Sequence, residues 1–206
     1  MVFYRDNGRI HLKEQRLNSR RFWEVFFELV NWGDNSMIIN HAVLKKISNL
    51  EGQTCFGCGE SNPIGLHMEF LTDGHRVYSF VTVPSAMAGW DQTVHGGVTS
   101  TILDEIMGWS VIYLLRKIGV TKSMTVDFMK PLHVGERLTV VGSIQEIQSE
   151  RQILVTGEIY SEEDTLCAKA HGIFAAMSAQ TAVRLGVMSL GYMERFLPIL
   201  NQNEAA

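Results

Sequence analysis

One stretch, residues 89–109, constrains the fold of this chain more than any other. It reads GWDQTVHGGVTSTILDEIMGW, a polar loop and a glycine pair followed by an apolar run that reaches about Leu115 without a proline. A loop that feeds an apolar run of this length predicts one long helix beginning at the glycine pair. Such an apolar helix must be covered on most sides, so we expect it to be the central helix of the domain.

A narrow face of this helix carries small residues and one acid. Gly97, Thr101, Asp104 and Gly108 follow one another at steps of four, three and four residues, which places them on one face. Small side chains predict that this face sits close against a sheet or another backbone. An acid among apolar neighbours is either held by hydrogen bonds or turned outward, and the spacing leaves both open. Glu105 lies about 100° further round the helix, so both acids cannot face one pocket equally well.

The glycine pair, Gly96 and Gly97, predicts open backbone amides at the start of the helix. The first amides of a helix have no partner within it and carry the positive end of the dipole, so they can hold a developing negative charge. Without side chains, these positions let a substrate carbonyl come close. A carboxylate and an oxyanion hole of this kind are what thioester hydrolysis requires.

These motifs resemble the active-site segment of the hotdog-fold acyl-CoA thioesterases, in the phenylacetyl-CoA thioesterase-like branch of the 4-hydroxybenzoyl-CoA thioesterase-like superfamily. The resemblance spans roughly residues 52–179 and implies an α+β hotdog fold, an antiparallel sheet wrapped around one long central helix. The motifs that carry it are His95-Gly96-Gly97, the segment Leu103-Asp104-Glu105-Ile106-Met107-Gly108-Trp109, the opening Cys55-Phe56-Gly57-Cys58-Gly59, Asn62-Pro63 and Gly65-Leu66.

The resemblance also implies roles for particular residues. Asp104 would act as general base or as nucleophile. The amide of Gly97, or alternatively of Gly96, would form the oxyanion hole, and His95 would contact the thioester or fix the loop. In this family the acid and the amide come from different subunits, which implies a homodimer or a tetramer built of dimers. The expected ligand is acyl-CoA, without metal or cofactor. Residues expected to contact the substrate are Gly96, Gln92, Thr93, Thr101 and Lys122; a solvated strand edge explains Lys122, Lys130 and Arg137 equally well.

Composition bounds the class of protein. Residues 1–50 carry eight Lys/Arg against five Asp/Glu (+3), and residues 51–206 carry ten against seventeen (-7), which together give the net charge of -4. No basic run is dense enough to predict nucleic acid as a main partner. Three cysteines do not make a disulfide framework, and no stretch of the sequence reaches the ~18 consecutive apolar residues of a membrane span. We therefore expect a cytoplasmic protein.

Periodicity divides the chain into an N-terminal helical extension (1–51), a hotdog domain (52–180) and a C-terminal helical tail (181–206). Residues 1–18 are predicted to be irregular, and helices are predicted from Ser19 to Gly33 and from Ser36 through Ile47 to Leu50. The aromatic residues of this extension need cover, so it either packs on the domain or meets a partner or membrane surface. A third alternative is that translation begins at Met37 and the residues before it are not part of the protein. The central helix is predicted to run to about Lys117, where Gly119 stops it. The other predicted elements are strands 64–70, 75–83, 123–129, 137–147, 152–160 and 165–177, a turn at 72–74 and a last helix around 188–199.

Several chemically interesting residues have a plain structural interpretation. Cys55 and Cys58 form an isolated CxxC, which favours a structural or incidental pair over a zinc or redox site because His67 and His75 show no ligand spacing. Cys167 and His171 lie in a predicted strand and are interpreted as core residues. Trp90 and Trp109 either line an acyl pocket or pack against neighbouring side chains.

Two rival functions remain. One is a hotdog module that binds an acyl thioester without cleaving it. The other is a hydratase, which the sequence disfavours because His95 precedes the helix and does not follow the acid.

Overall fold

The computed structural model describes residues Val2–Asp6, Arg9–Lys13 and 44–205. The chain divides into two compact units, residues 1–35 and 36–206. In the first unit, β1 (Val2–Asp6) and β2 (Arg9–Lys13) form an antiparallel hairpin. The prediction of irregular structure over residues 1–18 is therefore wrong for these two segments. The helix predicted from Ser19 to Gly33 lies outside the described residues.

The second unit begins its sheet earlier than the sequence indicated. Strand β3 (Lys45–Ile47) pairs antiparallel with β4 (Phe70–Thr72), where a helix was predicted. Ile47 and Leu50 are both buried, but they belong to different hydrophobic clusters, and Ile47 is a strand residue. A three-residue strand carries too few residues to reveal a period, and its partner lies more than twenty residues away, so tertiary pairing decides its conformation.

The described part of this unit forms one antiparallel sheet in the order β3-β4-β5-β7-β8-β9-β6. Its further strands are β5 (Val77–Thr82), β6 (Ile118–Phe128), β7 (Arg137–Ser149), β8 (Gln152–Tyr160) and β9 (Leu166–Met177). Five of the predicted strands are thus confirmed within a few residues. The exception is the strand predicted at 64–70, of which only Phe70 is a strand residue. The amides of Leu66 and Met68 instead donate to the carbonyls of Phe56 and Gly57 (2.9 and 3.0 Å), so this segment folds onto the CxxC loop.

Helix α1 (Gly96–Leu115) is the predicted central helix, and nine of its residues are buried against the sheet. Its last residue is Leu115, close to the predicted end at about Lys117, and the residue that caps it is Arg116 in a left-handed conformation (φ 52°), not Gly119. Gly119 belongs to β6, where a Cβ would lie 3.0 Å from the Val111 side chain. By length and mean hydropathy (1.3) the helix is long and apolar enough to cross a membrane, which was not predicted from the sequence. In this structure it packs against the sheet as a core helix.

Glycines of the sheet, not of the helix, allow this close packing. Gly142 of β7 and Gly157 of β8 are register partners beneath α1. A Cβ on Gly142 would overlap the Ser110 hydroxyl and lie 2.7 Å from the Ile106 carbonyl oxygen, whereas a Cβ on Gly108 would meet only Phe174 at 3.9 Å. The small helix face was predicted to sit close against a sheet or another backbone; its Gly108 makes only this ordinary contact with β9, and its Asp104 contacts Thr121 of β6.

Two C-terminal helices, α2 (Ala179–Arg184) and α3 (Leu190–Leu200), follow the last strand. The helix predicted around 188–199 is confirmed as α3. Its Phe196 ring packs edge-on against Trp109 of α1, with 6.4 Å between ring centroids. Trp109 also stacks on Phe70 at 4.7 Å, so this tryptophan is a packing residue and not the wall of an open pocket.

Candidate active site

The N-terminus of α1 is built around His95. His95 is the N-cap, with extended backbone (φ -61°, ψ 135°), and its Nδ1 accepts a hydrogen bond from the Gly97 amide at 2.9 Å. Because Nδ1 accepts, a neutral His95 ring carries its proton on Nε2. The entering loop is fixed by hydrogen bonds from the Gly89 amide to the Thr93 carbonyl (2.8 Å) and from the His95 amide to the Met87 carbonyl (3.1 Å).

This cap changes which amide is open to a ligand. The resemblance implied Gly97 as the oxyanion donor, with Gly96 as the alternative, but the Gly97 amide already donates to His95. The amide of the preceding residue, Gly96, donates to no acceptor within residues 44–205, and Gly96 is exposed. As the first residue of the helix, Gly96 has the geometry of an anion-binding amide.

A cleft of about 330 Å³ opens at this helix end, lined by Gly89, Trp90, Val94, His95 and Gly96. Trp90 is 87% exposed beside it. The Phe128 ring, at the end of β6, is 54% exposed and lies 3.7 Å from the position of a Cβ on Gly96. Two exposed aromatic rings therefore flank an open helix amide, an arrangement suited to an apolar group attached to a carbonyl.

Asp104 lies two turns further along α1 and faces β6. It is half-buried, and its Oδ1 accepts a 2.6 Å hydrogen bond from the hydroxyl of Thr121. A register shift between Thr121 and Ser123 interrupts the alternation of β6. As a result Thr121 faces the helix, and so do Met124 and Val126 beyond the shift, which pack against the core.

Glu105 faces a different environment, which confirms that the two acids do not share a pocket. Its carboxylate accepts a hydrogen bond from Trp109 Nε1 (3.2 Å) and lies 3.6 to 3.7 Å from Sγ of Cys55. Burial raises the pKa of Glu105 to about 7, and the neighbouring Cys55 contributes further. Cys58 lies in the same cluster, with Sγ 3.4 Å from Trp109 Nε1.

Sequence reasoning missed this cluster of Cys55, Cys58 and Glu105. The three ligand-type atoms lie within 4.8 Å of one another, and together they could hold a metal ion. The sequence signal was the CxxC itself, but the third group lies 47 residues beyond Cys58 on another element. His67 and His75, the candidates considered from the sequence, are not part of the cluster.

The remaining predicted residues have the following places. Gln92 and Thr93 lie in the loop before α1, where the Gln92 carbonyl accepts from the Val134 amide and Thr93 forms a bridge with His133. The Thr101 hydroxyl donates to the Gly97 carbonyl (3.0 Å), so it supports the first turn of the helix. Lys122 is exposed at the register shift of β6.

The other residues singled out have structural partners. The Arg137 guanidinium lies over the Phe80 ring, 4.9 Å from its centroid. Cys167 is buried, as predicted for a core residue. His171 is only half-buried, and its Nδ1 lies 3.2 Å from the Gln145 side-chain oxygen, so the prediction that it is core is wrong.

Part of the chain matches a known family model. Residues 91–168, from the cleft loop through α1 to the start of β9, match the family model of the thioesterase superfamily. The fold is a hotdog fold, an antiparallel sheet wrapped around one central helix, and the matched segment is similar to that superfamily.

Two solved structures and one protein known from its sequence are similar to parts of the chain. A solved structure of a thioesterase superfamily protein matches with a TM-score of 0.56 and 20% identity, covering 79% of this chain and 81% of that protein. The structure of AziG from S. sahachiroi matches with a TM-score of 0.50 and 20% identity, covering 55% and 93%. An uncharacterised protein of Schizosaccharomyces pombe is 31% identical over 110 residues, 51% of this chain, and the chain spans 61% of that relative's length.

Proposed function

We propose that this chain hydrolyses acyl-CoA thioesters to the free acid and CoA, with Asp104 as the catalytic carboxylate. The observation that carries the proposal is the pairing of an open helix amide at Gly96 with a held carboxylate at Asp104, both along the same edge of the sheet. The superfamily match spans both residues. In this reaction water adds its oxygen to the thioester carbonyl carbon, the carbon–sulfur bond breaks, and the thiolate leaves as CoA after taking a proton.

The two groups supply complementary parts of this chemistry. The Gly96 amide stabilises the negative charge on the carbonyl oxygen as the tetrahedral intermediate forms. Asp104 either removes a proton from the attacking water or attacks the carbonyl itself, and the geometry fits both roles. His95, with its proton on Nε2, is a donor beside the cleft. It positions the Gly97 amide and contacts the thioester.

One copy of the chain cannot bring both groups to one carbonyl. Gly96 and Asp104 are eight residues apart on one helix, which separates them by about 12 Å along its axis. We therefore assign the acid and the amide of each site to different copies, in a homodimer or in a tetramer built of dimers. Because the two copies are related by two-fold symmetry, each pair of copies then contains two equivalent sites.

Strand β6 is the surface on which we propose that two copies meet. It is eleven residues long and forms an outer edge of the sheet, and a long unpaired edge is a template for pairing with another strand. Thr121 on this strand contacts Asp104, and Phe128 lies beside Gly96. Antiparallel pairing of two β6 strands about an axis near Met124 would bring Phe128 of the second copy beside Thr121. The open amide of one copy would then lie near Asp104 of the other.

The exposed groups around this edge suit a CoA ligand. Trp90 and Phe128 offer apolar surface for the acyl group, and Lys122 offers a positive charge for the phosphates. Gln92, Thr93 and Thr101 remain the residues proposed to orient water and substrate. The reaction requires no redox cofactor, and we propose that it takes place in the cytoplasm.

A second candidate is a hotdog module that binds an acyl thioester without cleaving it. One observation favours it: the Asp104 carboxylate and the Gly97 amide are both engaged within the chain, by Thr121 and His95. Hydrolysis by this chain would then depend on the other carboxylate oxygen of Asp104, Oδ2, and on the Gly96 amide.

Thiol release separates these two functions. The full chain is mixed with short, medium, long-chain and aromatic acyl-CoAs, and free CoA is followed with a thiol reagent, with acyl-CoA binding measured in parallel by calorimetry. Turnover above the spontaneous rate on at least one acyl class supports the hydrolase. Saturable binding without release of CoA supports the binding module. Neither turnover nor binding on any acyl class would overturn both.

A further inference from the structure

The cluster of Cys55, Cys58 and Glu105 lies about 100° round α1 from Asp104 and has no role in the proposed hydrolysis. We propose that these three residues bind one divalent metal ion with zinc-like preferences. Cys55 and Cys58 come from the loop before β4, and Glu105 comes from the middle of the central helix. The site therefore connects a long irregular segment to the core of the domain.

The distances fit tetrahedral coordination. Zinc lies about 2.3 Å from a thiolate and about 2.0 to 2.2 Å from a carboxylate oxygen, so a sulfur and an oxygen bound to one tetrahedral ion are about 3.5 Å apart. Sγ of Cys55 lies 3.6 and 3.7 Å from the two oxygens of Glu105. The three ligand-type atoms fall within 4.8 Å of one another. Three protein ligands leave the fourth position of the ion for water.

The loop that carries the two cysteines is a tight turn. The Gly59 amide closes it by donating to the Cys55 carbonyl (2.9 Å). A Cβ on Gly59 would overlap the Cys55 backbone, and a Cβ on Gly57 would overlap the Glu105 carboxylate. The CFGCG sequence thus lets the turn close and lets the helix carboxylate approach the two sulfurs.

Further donors surround the ligand atoms. Trp109 Nε1 lies 3.2 Å from the Glu105 Oε1 atom and 3.4 Å from Sγ of Cys58, and the Gln53 side-chain amide lies 3.6 Å from the same sulfur. Donors in this outer position orient metal ligands and stabilise their negative charge. Bound to one ion, two thiolates and a carboxylate would bring three negative charges together in a partly buried site, and a divalent cation offsets their repulsion.

Metal content of the full chain tests the proposal. The chain is purified under reducing conditions, its zinc is measured by elemental analysis, and the zinc is then exchanged for cobalt(II). We expect about one ion per chain and the near-ultraviolet absorption of cobalt–thiolate bonds, because both sulfurs are ligands. Cys55→Ser and Cys58→Ser should weaken cobalt binding by at least about 100-fold, and Glu105→Gln should weaken it and shift the visible bands.

A matched cysteine variant controls for the loss of any thiol. Cys167→Ser removes the buried cysteine of β9, outside the cluster, and should retain full cobalt binding. Circular dichroism identifies a variant that fails to fold. For such a variant, the cobalt titration of the unmodified chain tests the proposal instead. A reduced, folded chain that shows no cobalt–thiolate absorption at millimolar cobalt would overturn the proposal, as would equal binding by the Cys55→Ser and Cys167→Ser chains.

Discussion

The Thr121 hydroxyl holds Asp104 from the neighbouring strand, with 2.6 Å between the Thr121 oxygen and Oδ1 of the carboxylate. The contact depends on the register shift in β6, which turns Thr121 toward the helix. It leaves the second oxygen of Asp104 for a water or a thioester. Asp104 thereby meets the edge of the sheet, while Glu105, the next residue, meets the cysteine cluster.

The first prediction concerns this hydrogen bond. Thr121→Val keeps the shape and the strand propensity of the residue but removes the donor. A hydrogen bond to a charged group contributes about 1.5 to 3 kcal/mol, so we expect kcat for thioester hydrolysis to fall roughly tenfold or more with KM little changed. Steady-state thiol release measures both constants. Thr139→Val on β7 is the control, and equal kcat values for the two variants would show that Thr121 does not position Asp104.

The second prediction distinguishes the Gly96 amide from the Gly97 amide. Gly96 is the first helical residue, where proline is well tolerated, and His95 already has the extended backbone that precedes a proline. Gly96→Pro therefore removes the amide hydrogen while preserving the helix. We expect kcat to fall about 10²- to 10³-fold, the effect of losing one oxyanion donor.

Gly96→Ala is the matched variant for this experiment, because it keeps the amide and its Cβ would make only ordinary contact with Phe128. It should retain most of the turnover. If Gly96→Pro is as active as Gly96→Ala, the oxyanion donor is another group.

The third prediction concerns sharing of the site between two copies. Chains carrying Asp104→Asn and chains carrying Gly96→Pro should each be nearly inactive. If the acid and the amide of one site come from different copies, half of the randomly mixed dimers contain one intact site, and activity should return to about a quarter of the unmodified level.

Mixing by co-expression, followed by thiol release, measures this recovery. Sedimentation of the mixture verifies that dimers have formed. Dimers that form but remain inactive would place both groups of each site in the same copy.

The fourth prediction concerns the close packing of helix and sheet. A Cβ on Gly142 would overlap the Ser110 hydroxyl, so we expect Gly142→Ala to lower the free energy of unfolding by about 1 to 3 kcal/mol. Urea denaturation measures this change, and the double variant with Ser110→Ala should recover part of the loss. Gly191→Ala in α3 has open space around the new methyl group and should be neutral or stabilising. Equal stabilities for Gly142→Ala and Gly191→Ala would contradict the close contact.

Much of the fold followed from local patterns in the sequence. The apolar run after Gly97 has the length of a core helix, and β7 and β8 alternate clearly enough to be recognised without partners. The divergence of Asp104 and Glu105 followed from the helical period alone. These features depend on residues close together in the chain, which is why the sequence reveals them.

The features that escaped prediction depend on distant partners. Strand β3 exists because β4 pairs with it, and the left-handed Arg116 ends the helix where a glycine was expected. The hydrogen bond from the Gly97 amide to His95 could not be predicted, because it depends on the conformation of the His95 side chain. The approach of Glu105 to Cys55 spans fifty residues, and no spacing rule connects a CxxC to an acid in a later helix.

The most direct test of the proposed function is thiol release by Asp104→Asn compared with the unmodified chain, on the acyl-CoA that the chain turns over fastest. Glu150→Gln, an exposed acid in the turn between β7 and β8, is the control for loss of one charge. We predict a fall in kcat of about 10²- to 10⁴-fold for Asp104→Asn and none for Glu150→Gln. Full turnover by a folded Asp104→Asn chain, or collapse of turnover in Glu105→Gln alone, would contradict the assignment of Asp104 as the catalytic carboxylate.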